Sequence, residues 1–524
     1  MTLPRITRWL GTLRLTAFAT LLLFNGLTDR PVQASGPAED GTSASDSEVS
    51  DSGASGSDDG NPKAPVLRDD TDRSRNQAKA KSSRSPKAVG RRDQRPQTVK
   101  RADTKPRDFR SRNFIIHTDL SPDEAEELLD RLESLLRPVS KYFGRANREP
   151  IECYVVRDLS VWPDSALHPI GREKIAQQSG VTITVTQVNR RTNEALAARA
   201  VVYAFAKPEI VQHESIHAYC GQNFGRTGPT WYSEGMAEMG QYWRDEPPSE
   251  KAFNKVNCVP EAVSYLRSAE RRPLNEIVAE DEVSGDSWQN YCWRWALCHL
   301  LSKNPNYYDR FRPLGLAMLQ NHQNASFENV YGTMQQEIDF EYQFFLKHFD
   351  LGYDVTLTRW DWKAKFRKPA GDSLISSTIQ AQRGWQPSRV TLEKGKRYEV
   401  RLEGNWKLSE SGPDLDAKGQ EITLPETPAK EQAKAEDESE TTEVRSVVSY
   451  ESRFPPGTLV GTLFNDYELS ESFVVEAGSS WTSPGDGDLF VRCEEAWNQL
   501  GDNRGRIILR VRKEQTRSAV KPPE

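Results

Sequence analysis

HESIHAYCGQNFGRTGPTWYSEGMAE, residues 213–238, is the stretch on which the fold turns. Pro208 can open a helix before it and Gly221 can close one within it. On such a helix His213 and His217 stand at i and i+4, one turn apart on one face, where two imidazoles can reach a single metal ion. Glu214 lies one residue round from His213, placed to meet a water beside the metal rather than the metal itself. Residues 222–229 supply a Gly-rich loop ending in Pro229, and a return helix then carries Glu234 and Glu238 on one face. Glu234 is the third metal ligand in this reading. Glu238 either accepts a hydrogen bond from a ligand histidine or is merely exposed.

The plain alternative is a core helix with two ordinary histidines. With 7 His in the chain, His-Glu-x-x-His arises by chance in roughly one such sequence in a hundred. The bounding Pro208 and Gly221 and the Trp-x-x-Glu-Gly phrase favour the metal.

Outward from this stretch, 524 residues are too many for one ordinary core and suggest two or three domains. Only 36% of residues are hydrophobic and 28% are charged, so part of the chain is expected to lack a core. The net charge of -6 selects no partner. Residues 1–34 read as a signal peptide: Arg5, Arg8 and Arg14 precede an apolar run at 15–27, and "VQA" at 32–34 offers a cleavage site. The alternative is a segment retained as an anchor, but the run is short for a span. The expected location is secreted, periplasmic or at the cell surface. Residues 35–108, first Ser/Gly/Asp-rich and then Lys/Arg/Pro-rich, read as a disordered arm. No aromatic residue interleaves their charges, so nucleic acid is not the expected partner. Six cysteines show no Cys-x-x-Cys spacing and leave bridges and buried thiols equally open.

Residues 109–352 begin with a strand at Phe114–His117, then a capping box from Ser121, Pro122 and Glu124 that opens a leucine-striped helix. Strands follow at 151–156 and 181–187, and "NEALAARAVVYAFA" (193–206) reads as a helix. Helices are expected over 208–221, 231–243, 260–270, 287–303, 306–320 and 325–349, giving an α+β domain. After a linker at 353–371, residues 372–513 carry short β-rich runs broken by Gly, Pro and Asp, the pattern of a β-sandwich. An acidic insert at 411–445 reads as disordered, and 514–524 as a tail. The two domains are expected to hold separate cores and to fold alone.

"HESIH" followed by "WYSEGMAE" resembles the gluzincin branch of zinc metallopeptidases. Residues of about 110–350 are similar, more narrowly, to a bacterial domain family of uncharacterised function with the same two phrases. The resemblance implies a zincin-like metallopeptidase fold, Zn²⁺ on His213, His217 and Glu234, and Glu214 as general base toward a zinc-activated water. It also implies an oxyanion donor on a later helix. "WQNYCWRWALCHLL" (288–301) offers Tyr291 and His299, with Tyr291 preferred and a packed core aromatic as its alternative. The amine-binding motif of aminopeptidase relatives is absent, which points to an endopeptidase acting on peptide or protein.

Residues 372–513 resemble the calcium-dependent galactose-binding lectin domain of bacteria. The match lies in Gly384-Trp385, the Gly404/Trp406 turn, "GTLVG" (457–461) and "DLFVRCEEAWNQLGDNRG". The resemblance implies Ca²⁺ on Glu495, Gln499, Asp502 and Asn503, with glycan as partner. Glu495 replaces an aspartate, and Trp497, which departs from the pattern, offers a stacking face for sugar. The competing functional reading is a non-catalytic surface protein that binds glycan or protein through the sandwich and holds a structural zinc. Glu214 argues against it, since a structural site needs no such carboxylate.

Overall fold

Ser121 starts the first long helix. Its hydroxyl accepts the Glu124 N–H and the Glu124 carboxylate takes the Ser121 N–H, so both halves of the capping box are made. Pro122–Phe143 (α1) then buries Leu128, Leu129, Leu132, Leu135 and Leu136. The computed structural model describes residues 105–188, 195–243, 260–279, 288–422 and 452–514. The expected signal segment (1–34), the arm up to residue 104, residues 423–445 of the insert, Cys258 and the tail from 515 lie outside them. Among the described residues no helix is long and apolar enough to cross a membrane.

The first sheet contains Arg107–Arg110 (β1), Phe114–Thr118 (β2), Ile151–Val156 (β3), Gly180–Val188 (β4) and Ala195–Phe205 (β5), with Pro169–Ala176 (α2) before β4. Its order is β1-β2-β3-β5-β4. β2, β3 and β5 run parallel, while β1 and β4 pair antiparallel at the two edges. Two expectations change here. β1 falls partly inside the expected arm, because Arg107–Arg110 completes a ladder with β2. The expected helix over 193–206 is strand β5. Its alanines favour a helix by propensity, but Ala200, Val202 and Ala204 are buried in strict alternation, and the sheet environment overrides propensity.

Pro208–Phe224 (α3) and Thr230–Gln241 (α4) follow, then Pro260–Ser268 (α5), Leu274–Val278 (α6), Trp288–Lys303 (α7), Tyr308–Leu319 (α8), Phe327–Tyr331 (α9) and Gln335–His348 (α10). α3 passes its expected end at Gly221 and stops at Gly225, whose φ of 78° caps it. Gly221 serves packing instead: a Cβ there would meet Thr184 Oγ1 on β4 at 2.5 Å.

The C-terminal part is two antiparallel sheets sharing one core. Ile375–Gln380 (β6), Gln386–Leu392 (β7), Arg397–Lys407 (β8), Leu459–Asn465 (β9), Glu468–Leu469 (β10), Phe473–Val474 (β11), Gly478–Thr482 (β12), Gly487–Cys493 (β13) and Arg504–Lys513 (β14) build it. One sheet runs β10-β9-β13-β7 with β11 on β9, the other β12-β8-β14-β6. Residues 411–422, expected to be disordered, are tied in. Leu415 exchanges backbone hydrogen bonds with Trp406, and Leu415 and Ala417 join the sandwich core. β6 and β12 carry too little apolar patterning to be read in advance.

The expected linker at 353–371 is part of the core. Tyr353, Val355 and Trp360 are buried, and Arg367 pairs with the edge of β7. Phe340 and Phe344 of α10 pack on Trp360, Phe464 and Trp497, so one apolar cluster runs from the helices into the sandwich. Glu341 pins this seam. Its buried carboxylate accepts from Asn304 and Asn306 Nδ2, the Tyr307 hydroxyl and Trp362 Nε1, four donors from two segments. Burial still pushes its carboxyl up, against those hydrogen bonds.

Candidate metal centre

α3 and α4 pack side by side and bring His213, His217 and Glu234 to one point. His213 Nε2 and His217 Nε2 are 3.2 Å apart, and Glu234 Oε2 lies 3.3 Å from the first and 3.4 Å from the second. All three side chains are buried, and this is the one group of metal-competent His, Cys, Asp and Glu donors among the described residues.

The other ring nitrogens face polar groups, although only His217 Nδ1 makes a hydrogen bond. His213 Nδ1 lies 3.2 Å from Glu238 Oε1, and His217 Nδ1 lies 3.1 Å from Ser233 Oγ. The hydrogen bond to Ser233 orients the His217 ring. Ser233 was missed in the sequence, although it precedes Glu234; a serine one residue before a ligand carries no distinctive signal. Burial alone would push the His213 imidazole down, but hydrogen bonds and charge from Glu234 and Glu238 hold it well above its usual range. Burial would raise the Glu234 carboxyl, yet the charge of His217 and hydrogen bonds to both histidines keep it well below the usual carboxylate range.

Glu214 is buried against the sheet edge. The Thr182 hydroxyl on β4 lies 2.8 Å from Glu214 Oε2 and 2.9 Å from its carbonyl oxygen. A Cβ on Gly180 would meet Glu214 Cγ at 2.7 Å, so β4 and this side chain are in direct contact. Tyr291 on α7 stands beside the centre, its ring 5.9 Å from that of His213. His299 does not. It stacks on Phe345 at 5.3 Å within the core, and burial pushes its imidazole down to about 3.

Gly235 sets how closely α4 approaches α7. A Cβ there would meet Cys298 Sγ at 2.4 Å and Arg294 O at 2.7 Å. The five described cysteines, Cys153, Cys220, Cys292, Cys298 and Cys493, are all buried free thiols.

In the sandwich the four expected calcium residues separate into two environments. Glu495 and Asn503 are buried, while Gln499 and Asp502 are exposed on the turn Trp497–Asp502. Burial pushes the Glu495 carboxyl up to about 7 against the hydrogen bond from Asn503. Glu495 Oε2 and Asn503 Oδ1 are buried with no hydrogen-bond partner among the described residues. Trp497 offers no stacking face for sugar. It is 3% exposed, with Tyr353 at 5.1 Å, His348 at 5.4 Å and the Arg492 guanidinium 4.0 Å from its ring centroid. The seam between helices and sandwich consumes it.

No family model matches the chain, and no curated protein matches it. Among solved structures, one described as the EclA N-terminal domain, a PllA-like lectin, is similar at 17% identity with a TM-score of 0.19, over 28% of this chain and 100% of that chain. At that score the likeness carries no conclusion about this chain.

Proposed function

We propose that this chain is an exported zinc metallopeptidase of zincin-like fold that cleaves within peptide chains. The His213–His217–Glu234 triangle carries the reading. Ligands held about 2.0–2.1 Å from a common centre at tetrahedral angles lie about 3.3–3.4 Å apart, as two imidazoles and a carboxylate do around zinc. The three separations of 3.2, 3.3 and 3.4 Å fit that geometry. Octahedral magnesium would bring neighbouring ligands to about 2.9 Å and prefers oxygen. Three protein ligands rather than four among the described residues leave a position for substrate chemistry, unlike a closed structural site.

A bound zinc supplies Lewis acidity and lowers the pKa of water toward neutrality. Glu214 takes the proton of the attacking water and delivers it to the leaving nitrogen, so its carboxylate must be ionised at the start. Thr182 holds that carboxylate in place. Tyr291 donates its hydroxyl to the developing oxyanion. β4 ends the sheet, and among the described residues its outer edge has no strand partner. An extended peptide can add there as one more strand, its backbone held alongside Glu214.

The test is metal content combined with cleavage. The full chain should carry one zinc, lose it with a chelator, and cleave members of a proteome-derived peptide library only when loaded. His213→Ala, His217→Ala and Glu234→Ala should each abolish stoichiometric zinc. A wild-type chain without zinc, or three variants that all retain it, would overturn the assignment.

A second reading concerns the sandwich, and the unpartnered oxygens of Glu495 and Asn503 favour it. Buried oxygens of this kind suit Ca²⁺, which collects oxygen ligands and in turn can hold sugar hydroxyls. Millimolar Ca²⁺ should raise the melting temperature of the full chain, and Glu495→Gln should remove that gain. Equal curves with and without Ca²⁺ would exclude it, and with it a calcium-dependent glycan role.

A further inference from the structure

A second polar recess lies on the sandwich. It is a cleft of about 300 Å³ between β6, the edge of one sheet, and β7, the edge of the other. Arg383 and Arg389 stand on its wall, and Asp361 is its one acid. Neither arginine has an ion-pair partner within 4.0 Å among the described residues. Arg383 donates instead to the Arg359 carbonyl at 3.3 Å, which carries no net charge. Burial and the nearby Arg359 charge both push the Arg383 guanidinium below its usual value, while Asp361 only partly offsets them. The recess therefore holds more positive charge than it neutralises.

Its hydroxyls are similarly uncommitted. Ser377 is 8% exposed, and its Oγ is buried with no hydrogen-bond partner among the described residues. Ser376 and Thr378 flank it on the same strand and line the same cleft. The backbone adds a third observation. Arg389 has φ of 66°, the left-handed region that few residues other than Gly, Asn or Asp adopt. The Arg367 amide and the Thr391 amide bracket it by pairing along β7, at 3.1 Å to Arg389 O and 3.0 Å to Arg367 O. A long cationic side chain held at a costly conformation over a cleft is the arrangement expected where its direction matters.

We propose that this cleft binds an anionic group, a sulfate, phosphate or carboxylate carried on a small polar ligand. Arg383 and Arg389 hold the anion from two sides with the forked donors that suit oxyanions. The Ser377 hydroxyl supplies the buried donor. The proposal is independent of the metal centre.

Thermal unfolding of the full chain tests it, with inorganic sulfate, inorganic phosphate and acetate in separate arms, each against chloride at matched ionic strength. Sulfate and phosphate also stabilise proteins through exclusion from their surfaces, so the decisive quantity is the difference from a variant. Arg389→Asn removes the exposed guanidinium and keeps a residue that tolerates the left-handed backbone. Wild type should show a saturating rise of about 2–4 °C above the variant in at least one arm. The arm that saturates distinguishes a tetrahedral from a planar anion. Arg383→Gln should behave like Arg389→Asn; if it fails to fold, Arg389→Asn alone decides. Equal rises in wild type and Arg389→Asn in all three arms would overturn the proposal.

Discussion

Glu214→Gln is expected to keep its zinc and to lose roughly 10²–10⁴-fold in peptide hydrolysis, the contribution of a positioned general base. Glutamine matches glutamate in size, so it fits the space between α3 and β4, where Gly180 leaves no room for anything larger. Its amide oxygen can still accept from Thr182, so the side chain keeps its position. What disappears is the ability to take a proton. The proposed zinc ligands are untouched, so elemental analysis should read one zinc per chain in both proteins. Paired metal and turnover measurements on one peptide substrate separate this outcome from misfolding. Unchanged turnover at full zinc occupancy would remove Glu214 from the mechanism.

The second large effect is on folding. A fragment of 372–513 is expected to be insoluble or molten, although its own core looks complete. Trp385, Val460, Phe490, Trp497 and Leu500 belong to the apolar cluster shared with the helices, not to the sandwich core. Cutting at 372 uncovers them and also removes Trp360. At about 1.5–3 kcal/mol per large apolar side chain, the loss is roughly 7–15 kcal/mol. That equals the whole stability of a typical domain, about 5–15 kcal/mol. Extending the fragment to start near 335, so that α10 and the Trp360 segment are included, should restore solubility. A cooperative melt and dispersed near-ultraviolet signal from 372–513 alone would show the seam to be dispensable.

These two effects differ in how far the sequence announced them. The metal triangle was legible because three residues carry it at spacings that a helix and a return helix translate directly into one face. The capping box at Ser121 was legible for the same reason, since its partners are three residues apart. The seam was not. Trp497 is far along the chain from Phe344 and Trp360, and each alone reads as an ordinary aromatic in a loop, a helix and a linker. β5 was misread because alanine suits both helix and a tightly covered strand, and only the neighbours on either side decide. Thr182 and Ser233, which hold Glu214 and His217, bear no motif at all; their roles exist only once β4 and α4 are packed against α3.

The glycine crossing at Gly235 has a consequence for how the site would age under mutation. Because backbone meets backbone and a sulfur there, the gap between α4 and α7 has no slack to absorb an added methyl group. Glu234 is the adjacent residue, so a change at 235 is transmitted straight to a ligand oxygen. Tyr291 rides on the opposing helix, one turn before Arg294 and two before Cys298, the very groups an added methyl would strike. Pushing the helices apart would therefore withdraw the proposed ligand Glu234 and the proposed oxyanion donor Tyr291 together. The two would drift as a pair, and no compensating substitution at either one alone could bring both back into register.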